Sequence, residues 1–322
     1  MANLFEVLNP ILRAFMKLYG LRAQQVEIDP GTVINFWAPI STVKNYKNKA
    51  NPAMNNIELK HKKPALVLIH GFAGTGVLTW WLQVAALSGK YEIYVPDVLF
   101  FGGSITDSPK RSPEFQAECL AKGLKLLGVG RCTVVGCSYG GIVGSKMAVS
   151  DPNLVECLVL SNSNVGVPES HSKAALKRIG VGSWVDHFLP STVEDLKVLL
   201  GSVVYRRPWF PNWAYKHFLK AMFDNREERA ELLEAMIIKD NEYVIPNFSQ
   251  KIYIVAGEED KIFNQEIVHQ TKKCQLSQKS THAVYIPNLI FFGGFTIDHR
   301  AERSVEFQAQ FVAKGLIMQA GY

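Results

Sequence analysis

Five consecutive aliphatic residues, Ala65-Leu66-Val67-Leu68-Ile69, constrain the fold of this chain more than any other feature. They show no alternation of apolar and polar positions, so as a strand they must be covered on both faces. Ile93-Tyr94-Val95, Cys132-Thr133-Val134-Val135, Cys157-Leu158-Val159-Leu160 and Ile252-Tyr253-Ile254-Val255 repeat the pattern, and Val33-Ile34-Asn35-Phe36-Trp37 reads as an earlier strand. Segments long enough for helices, such as 114–127 and 141–149, lie between them. This rhythm predicts an α/β fold with a mostly parallel central sheet and helices on both faces. With 322 residues, 48% hydrophobic and 20% charged, the chain can bury a sizeable core, and the composition excludes disordered and collagenous classes.

The rhythm divides the chain. Residues 1–25 hold Leu4, Leu8, Ile11, Leu12, Phe15, Met16 and Tyr19 at helical spacing, with Arg13 and Lys17 among them. This N-terminal amphipathic helix fits two settings, packing on its own domain or peripheral contact with a membrane surface. Residues 26–165 and 247–275 carry the strands of the core. Between them, 166–246 contains Trp184, Trp209, Trp213 and a charged helical stretch at 225–239, and reads as a helical lid inserted between two strands. In the tail, 276–322, Tyr285-Ile286-Pro287-Asn288-Leu289-Ile290-Phe291-Phe292-Gly293-Gly294 repeats Tyr94-Val95-Pro96-Asp97-Val98-Leu99-Phe100-Phe101-Gly102-Gly103. With a one-residue insertion, 17 of 31 positions are identical through Leu124 and Leu316. Such a copied strand–loop–helix piece is what joining two duplicated neighbouring genes produces, and its apolar run 284–292 is expected to pair beside Ile252–Val255.

The net charge of +6 is uneven, with six lysines and one acid, Glu58, between Lys44 and Lys63. That stretch reads as a solvated loop, and no uniformly basic nucleic-acid face is expected. The five cysteines form no C-x-x-C pair, as reduced thiols of a cytoplasmic protein would. No metal or organic cofactor is implied.

The chemistry concentrates in Thr133-Val134-Val135-Gly136-Cys137-Ser138-Tyr139-Gly140-Gly141, a strand, a G-x-S-x-G turn and the start of a helix. The sharp turn lifts the Ser138 hydroxyl above the sheet as a nucleophile, and small residues are needed at 136 and 140 because strand and helix nearly touch. After the strand at 65–69, His70-Gly71-Phe72 can aim the Phe72 N–H at a developing oxyanion, with the Tyr139 N–H as the second donor. The strand at 252–255 runs into Gly257-Glu258-Glu259-Asp260, where Asp260 is the candidate for orienting a base.

On these pieces, with Val67-Leu68-Ile69-His70-Gly71-Phe72 and Val95-Pro96-Asp97-Val98-Leu99-Phe100-Phe101-Gly102, residues 26–275 resemble the α/β-hydrolase superfamily. They are most similar to plant serine hydrolases described as epoxide-hydrolase-like or monoacylglycerol-lipase-like. The resemblance implies Ser138 as nucleophile, Asp260 as acid, and Phe72 and Tyr139 as oxyanion donors. True epoxide hydrolases of this fold carry Asp at the nucleophile position, so Ser138 points to esters. The family expects a Gly-His pair near its end, and this chain has none. His282 and His299 remain, and His299, which follows the apolar run, is the candidate base. Two functions follow. One is hydrolysis of a small apolar ester through an acyl-Ser138 intermediate. The other is a non-catalytic protein binding a small ligand under the lid.

Overall fold

Ala65–Ile69 forms a strand buried along its whole length, near the middle of a nine-stranded sheet. A computed structural model describes residues 4–49, 63–72, 74–203, 210–257, 260–275 and 281–286. In chain order the first half comprises α1 (Leu4–Leu18), β1 (Leu21–Asp29), β2 (Thr32–Pro39), α2 (Ile40–Lys49), β3 (Ala65–Ile69), α3 (Gly76–Leu87), β4 (Glu92–Pro96), β5 (Ile105–Thr106), α4 (Pro113–Leu126), β6 (Cys132–Cys137) and α5 (Tyr139–Ser150). Next come β7 (Val155–Ser161), β8 (Val167–Pro168), α6 (Glu169–Ile179), α7 (Trp184–Phe188), α8 (Val193–Val203), α9 (Asn212–Met222), α10 (Arg226–Ala235), β9 (Ile237–Ile238), β10 (Lys251–Gly257), α11 (Gln265–Gln275) and β11 (Thr281–Ile286). The sheet order is β1-β2-β4-β3-β6-β7-β10-β11, with β5 beside β2. From β4 to β11 neighbours are parallel; β1 with β2, and β2 with β4 and β5, are antiparallel.

Strand parity sorts the core into two layers. Val67 and Ile69 of β3, Val134 of β6 and Leu158 and Leu160 of β7 belong to one buried cluster, with α4 and α5 residues such as Leu120, Leu124, Ile142 and Met147. Leu66, Leu68, Val135, Cys157 and Val159 point to the other, with Leu12 and Met16 of α1 and Trp80, Val84 and Leu87 of α3. Local signals set the helix starts. The Thr75 hydroxyl accepts from Leu78 N–H at α3, and at α4 Ser112 accepts from Phe115 N–H with Pro113 in the first turn.

The structure departs from the sequence reading in four places. The N-terminal helix ends at Leu18, not near residue 25: Gly20 turns the chain at φ 81°, and β1 follows. Gln24 and Gln25 hide this strand, because its antiparallel position at the sheet end leaves one face to water. The lysine-rich stretch begins as α2, whose Val43 packs into the core while Lys44 and Lys47 are exposed; residues 50–62 lie outside the described residues. Segment 166–246 carries, besides its helices, the short parallel pair β8–β9. The tail strand starts at Thr281, three residues earlier than expected, and pairs with β10 from Ile252↔Thr281 to Gly257↔Ile286.

Candidate active site

At the end of β6 the chain passes through Ser138 with φ 50° and ψ −121°, conformational strain of about 1–3 kcal/mol that the surrounding packing must hold. The flanking glycines make that packing possible. A Cβ on Gly136 would lie 2.3 Å from the Gly140 carbonyl oxygen, and one on Gly140 would lie 2.4 Å from that of His70. Helix, strand and the neighbouring loop therefore touch backbone to backbone. The Ser138 N–H donates to the Ser161 carbonyl (3.0 Å) at the end of β7, which ties the turn to the next strand. Cys137, the adjacent potential nucleophile, is buried, and burial pushes its thiol far above the usual range, so the thiolate is suppressed.

The oxyanion loop is fixed from below. His70 is fully buried; its Nε2 accepts the Val98 N–H (3.0 Å), so Nδ1 carries the proton and donates to the Gly71 carbonyl (2.7 Å). Burial lowers the His70 pKa, in keeping with this neutral tautomer. Asp97 supports the same region: Oδ1 accepts from Gly76 N–H (2.7 Å) and Oδ2 from Asn35 Nδ2 (2.8 Å). A Cβ on Gly71 would stand 3.3 Å from the Ser138 Cβ, which brings loop 70–72, and with it Phe72, beside the nucleophile. Tyr139 is the first residue of α5, so its N–H lies among those an α-helix leaves without an internal acceptor. The two expected oxyanion donors thus flank Ser138, and the ring of Phe72 meets that of Tyr139 edge to face at 5.8 Å.

Asp260 follows the end of β10. Its Oδ1 accepts the N–H groups of Ile262 (2.8 Å) and Phe263 (2.9 Å), and its Oδ2 accepts Asn162 Nδ2 (3.2 Å). Burial raises its pKa, and these three bonds oppose the rise without cancelling it. Asn162 is a site residue that sequence reasoning missed. It directly follows Ser161, the acceptor of the Ser138 N–H, and stands at φ 45° with its own N–H on the Val255 carbonyl (2.8 Å). Ser161 and Asn162 therefore join Ser138 to Asp260 across the ends of β6, β7 and β10. The available signal was the polar run Ser161-Asn162-Ser163-Asn164 closing an otherwise apolar strand.

Ser138, Phe72, Tyr139 and Ile142 line a small pocket of about 20 Å³. Trp184, Phe188, Leu233 and Met236 of segment 166–246 line it too, with Ile262 and Phe263, which follow Asp260 in the chain. The walls are apolar, and the nearby indole N–H of Trp184 is already bound to Ser172 Oγ (2.7 Å). His171 of α6 also lines this pocket; its Nε2 meets the Ile262 carbonyl at 2.9 Å. His282 belongs to β11 opposite Tyr253, and His299 lies outside the described residues, as do Glu258 and Glu259. Among the described residues no three His, Cys, Asp or Glu side chains are grouped to hold a metal ion.

Comparison with known proteins agrees with this architecture. Residues 64–289 match the family described as alpha/beta hydrolase fold. Lipase 1 of Psychrobacter immobilis is 27% identical over 224 residues, a match spanning 65% of this chain and 66% of that one, just under two thirds of each. Among solved structures, a membrane phospholipase A described as a bacterial virulence factor superposes with TM-score 0.70 at 20% identity, covering 96% of this chain and 91% of its own. An esterase from Rhodococcus sp. ECU1013 superposes with TM-score 0.64 at 16% identity, covering 91% and 98%. A family match over residues 64–289, more than half of the chain, decides the assignment: the chain belongs to the alpha/beta hydrolase fold family.

Proposed function

We propose that this protein hydrolyses a carboxylic ester of a small, apolar, acyl-like substrate through an acyl-Ser138 intermediate. The observation that carries the reading is the strained Ser138, which lines an apolar pocket together with Phe72 and Tyr139, the residues expected to supply the oxyanion donors. The substrate's hydrocarbon part lies against Trp184, Phe188, Leu233 and Met236, where burial contributes roughly 25 cal/mol per Å² of apolar surface. Its carbonyl points towards the N–H groups of Phe72 and Tyr139.

Ser138 Oγ attacks the carbonyl carbon while a base takes the hydroxyl proton. The two N–H groups hold the negative oxygen of the tetrahedral intermediate. The carbon–oxygen bond to the alcohol then breaks, and the alcohol leaves with the proton from the base. Water, deprotonated by the same base, releases the acid and restores Ser138. Asp260 orients that base, and His299 is assigned the role. The placement of β11 supports the assignment: it runs parallel to β10, with Ile286 level with Gly257, so β11 ends at the sheet edge that carries Asp260.

A fluorophosphonate ester probe tests the reading. Covalent labelling mapped by mass spectrometry to Ser138, and lost in Ser138→Ala, is the expected result. Folded protein that remains unlabelled would favour the non-catalytic ligand-binding alternative.

A further inference from the structure

Helix α1 is apolar over a wider arc than the domain covers. Leu12 and Met16 are buried, and Leu8, Phe15 and Tyr19 are half-buried against the layer that holds α3; Phe15 meets Trp81 of α3 edge to face at 5.2 Å. The next strip of the same helix is Val7, Ile11, Ala14 and Leu18, spaced four, three and four residues apart, so the four side chains form one line along the helix. That line faces water: Val7 is 53%, Ile11 58% and Leu18 78% exposed. Of the ten large hydrophobic residues exposed among the described residues, these three share one helix, and the other seven lie one to an element or loop. A fold that placed α1 only to close its core would have no use for this second apolar strip.

The charge beside the strip indicates what covers it. Arg13 and Lys17, both exposed, project along the polar flank of α1. On α9, which packs on α1, Trp213, Lys216 and Lys220 are exposed at positions i, i+3 and i+7 and share one helix face. Trp213 is 52% exposed. An exposed aliphatic strip on a helix that also carries exposed lysine and arginine, packed against a helix with an exposed tryptophan and two lysines, matches the boundary between acyl chains and anionic headgroups. No helix among the described residues is long and apolar enough to cross a membrane, so the geometry is that of a helix lying in the surface.

We infer that α1, assisted by α9, docks this protein onto an anionic lipid surface through Val7, Ile11 and Leu18, with Arg13 and Lys17 pairing with headgroup charges. The inference does not depend on the proposed acyl chemistry, because its readout is partitioning and not turnover. Docking would bring segment 166–246, to which α9 belongs, to the surface where an apolar ester is concentrated.

Flotation of the full chain with phosphatidylcholine vesicles, with and without phosphatidylserine, tests this. Binding is expected to rise with phosphatidylserine and to fall with salt, each basic residue near the surface contributing about a fivefold factor. Ile11→Asp/Leu18→Asp is expected to weaken partitioning by at least about tenfold. Arg13→Glu/Lys17→Glu should remove the preference for phosphatidylserine. The substituted positions are exposed, so circular dichroism and the thermal transition should be unchanged; Val7→Ser/Ile11→Ser gives a milder second variant. Absence of vesicle binding by the folded parent chain would overturn the inference. So would binding that survives both apolar variants, or a parent dimer that Ile11→Asp/Leu18→Asp converts to monomer, since a second copy would then be the occupant.

Discussion

Arg229 is the side chain whose removal most sharply tests how segment 166–246 is held over the core. It is 3% exposed, and its guanidinium lies 4.0 Å from the centre of the Phe101 ring. Nε donates to the Phe100 carbonyl (2.9 Å), a second nitrogen donates to the Met222 carbonyl (2.7 Å), and the third pairs with Asp224. Phe100 stands at φ 71°, so its carbonyl is turned out of the regular path and needs these donors. Phe101 in turn packs on Phe72 at 5.2 Å, next to the nucleophile. Arg229→Met keeps the aliphatic stem and deletes the charge. The Phe100 carbonyl retains Asn225 Nδ2 (3.1 Å), which limits that loss to about 1 kcal/mol. The Met222 carbonyl loses the charged donor recorded for it, at about 1.5–3 kcal/mol. The contact with Phe101 adds about 1 kcal/mol. Asp224 has a side chain 63% exposed and returns to water, so its share is below about 1 kcal/mol. Burial of the cation costs several kcal/mol in the parent, and that penalty disappears. The net expectation is about 2–4 kcal/mol of destabilisation, read as a lower urea midpoint by tryptophan fluorescence with unchanged slope. Lys177→Met is the control: Lys177 is exposed on α6 of the same segment, and the change should cost below about 0.5 kcal/mol. A change at Arg229 below about 0.5 kcal/mol would refute the reasoning.

Asp260→Asn should leave the fold intact, because its side-chain oxygen can still accept from Ile262 and Phe263 N–H, yet lower the rate of Ser138 labelling roughly 10⁴-fold. Comparable labelling of the two proteins would remove Asp260 from the mechanism. His187 is buried with Nε2 on Ser202 Oγ (2.8 Å), and burial lowers its pKa to about 4. A depressed histidine binds fewer protons folded than unfolded between pH 6.5 and about 4, so stability is complete above that window and falls as pH drops through it, by up to about 3 kcal/mol. Urea midpoints at several pH values should show this slope, and His187→Leu should flatten it; equal slopes would contradict the assignment. Gly136→Ala should prevent correct folding, since the new methyl would meet only backbone atoms, Gly140 O at 2.3 Å and Gly141 Cα at 2.5 Å. A well-folded, stable Gly136→Ala protein in a thermal melt would show that the turn can relax.

The parts of the site readable from sequence are those whose causes are local. Ser138 needs small neighbours two residues away on either side, and the buried strand and following helix sit in the same short stretch. Asp260 lies at the end of a strand recognisable from its own five or six residues. The supporting groups are not local. Asn162 meets Asp260 across 98 residues of chain, Asp97 meets Asn35 across 62, and Arg229 reaches Phe100 across 129. Each of these polar residues alone resembles a surface residue, and only the fold supplies the partner. Strand β1 and helix α2 were obscured for another reason: each buries a single narrow face, Val26 in one and Val43 in the other, so their polar majority dominates the pattern.

The copied tail shows how far local sequence carries and where context takes over. In the first copy, Tyr94-Val95-Pro96 completes β4, and the chain then leaves the sheet. Val98, Leu99, Phe100 and Phe101 are all buried, yet they form a loop gathered around Asp97, with the Ser104 hydroxyl on the Asp97 carbonyl (2.7 Å) and Arg229 on Phe100. Apolar character there reflects burial of a loop, not a strand. In the second copy, Tyr285-Ile286 again completes a strand, β11, which begins at Thr281. The expected strand at 284–292 rested on apolarity; its first three residues belong to β11, and 287–292 lie outside the described residues. β4 sits between β2 and β3, whereas β11 ends the sheet order beside β10. Tyr94-Val95 thus lies in an inner strand and Tyr285-Ile286 in the strand that ends the sheet order among the described residues. Whether the second copy also reproduces the loop depends on partners supplied from elsewhere. Its Asn288 replaces Asp97, the carboxylate that receives Gly76 and Asn35. In sequence, therefore, the stretch that leads to His299 starts from a neutral amide where the first copy has a carboxylic side chain.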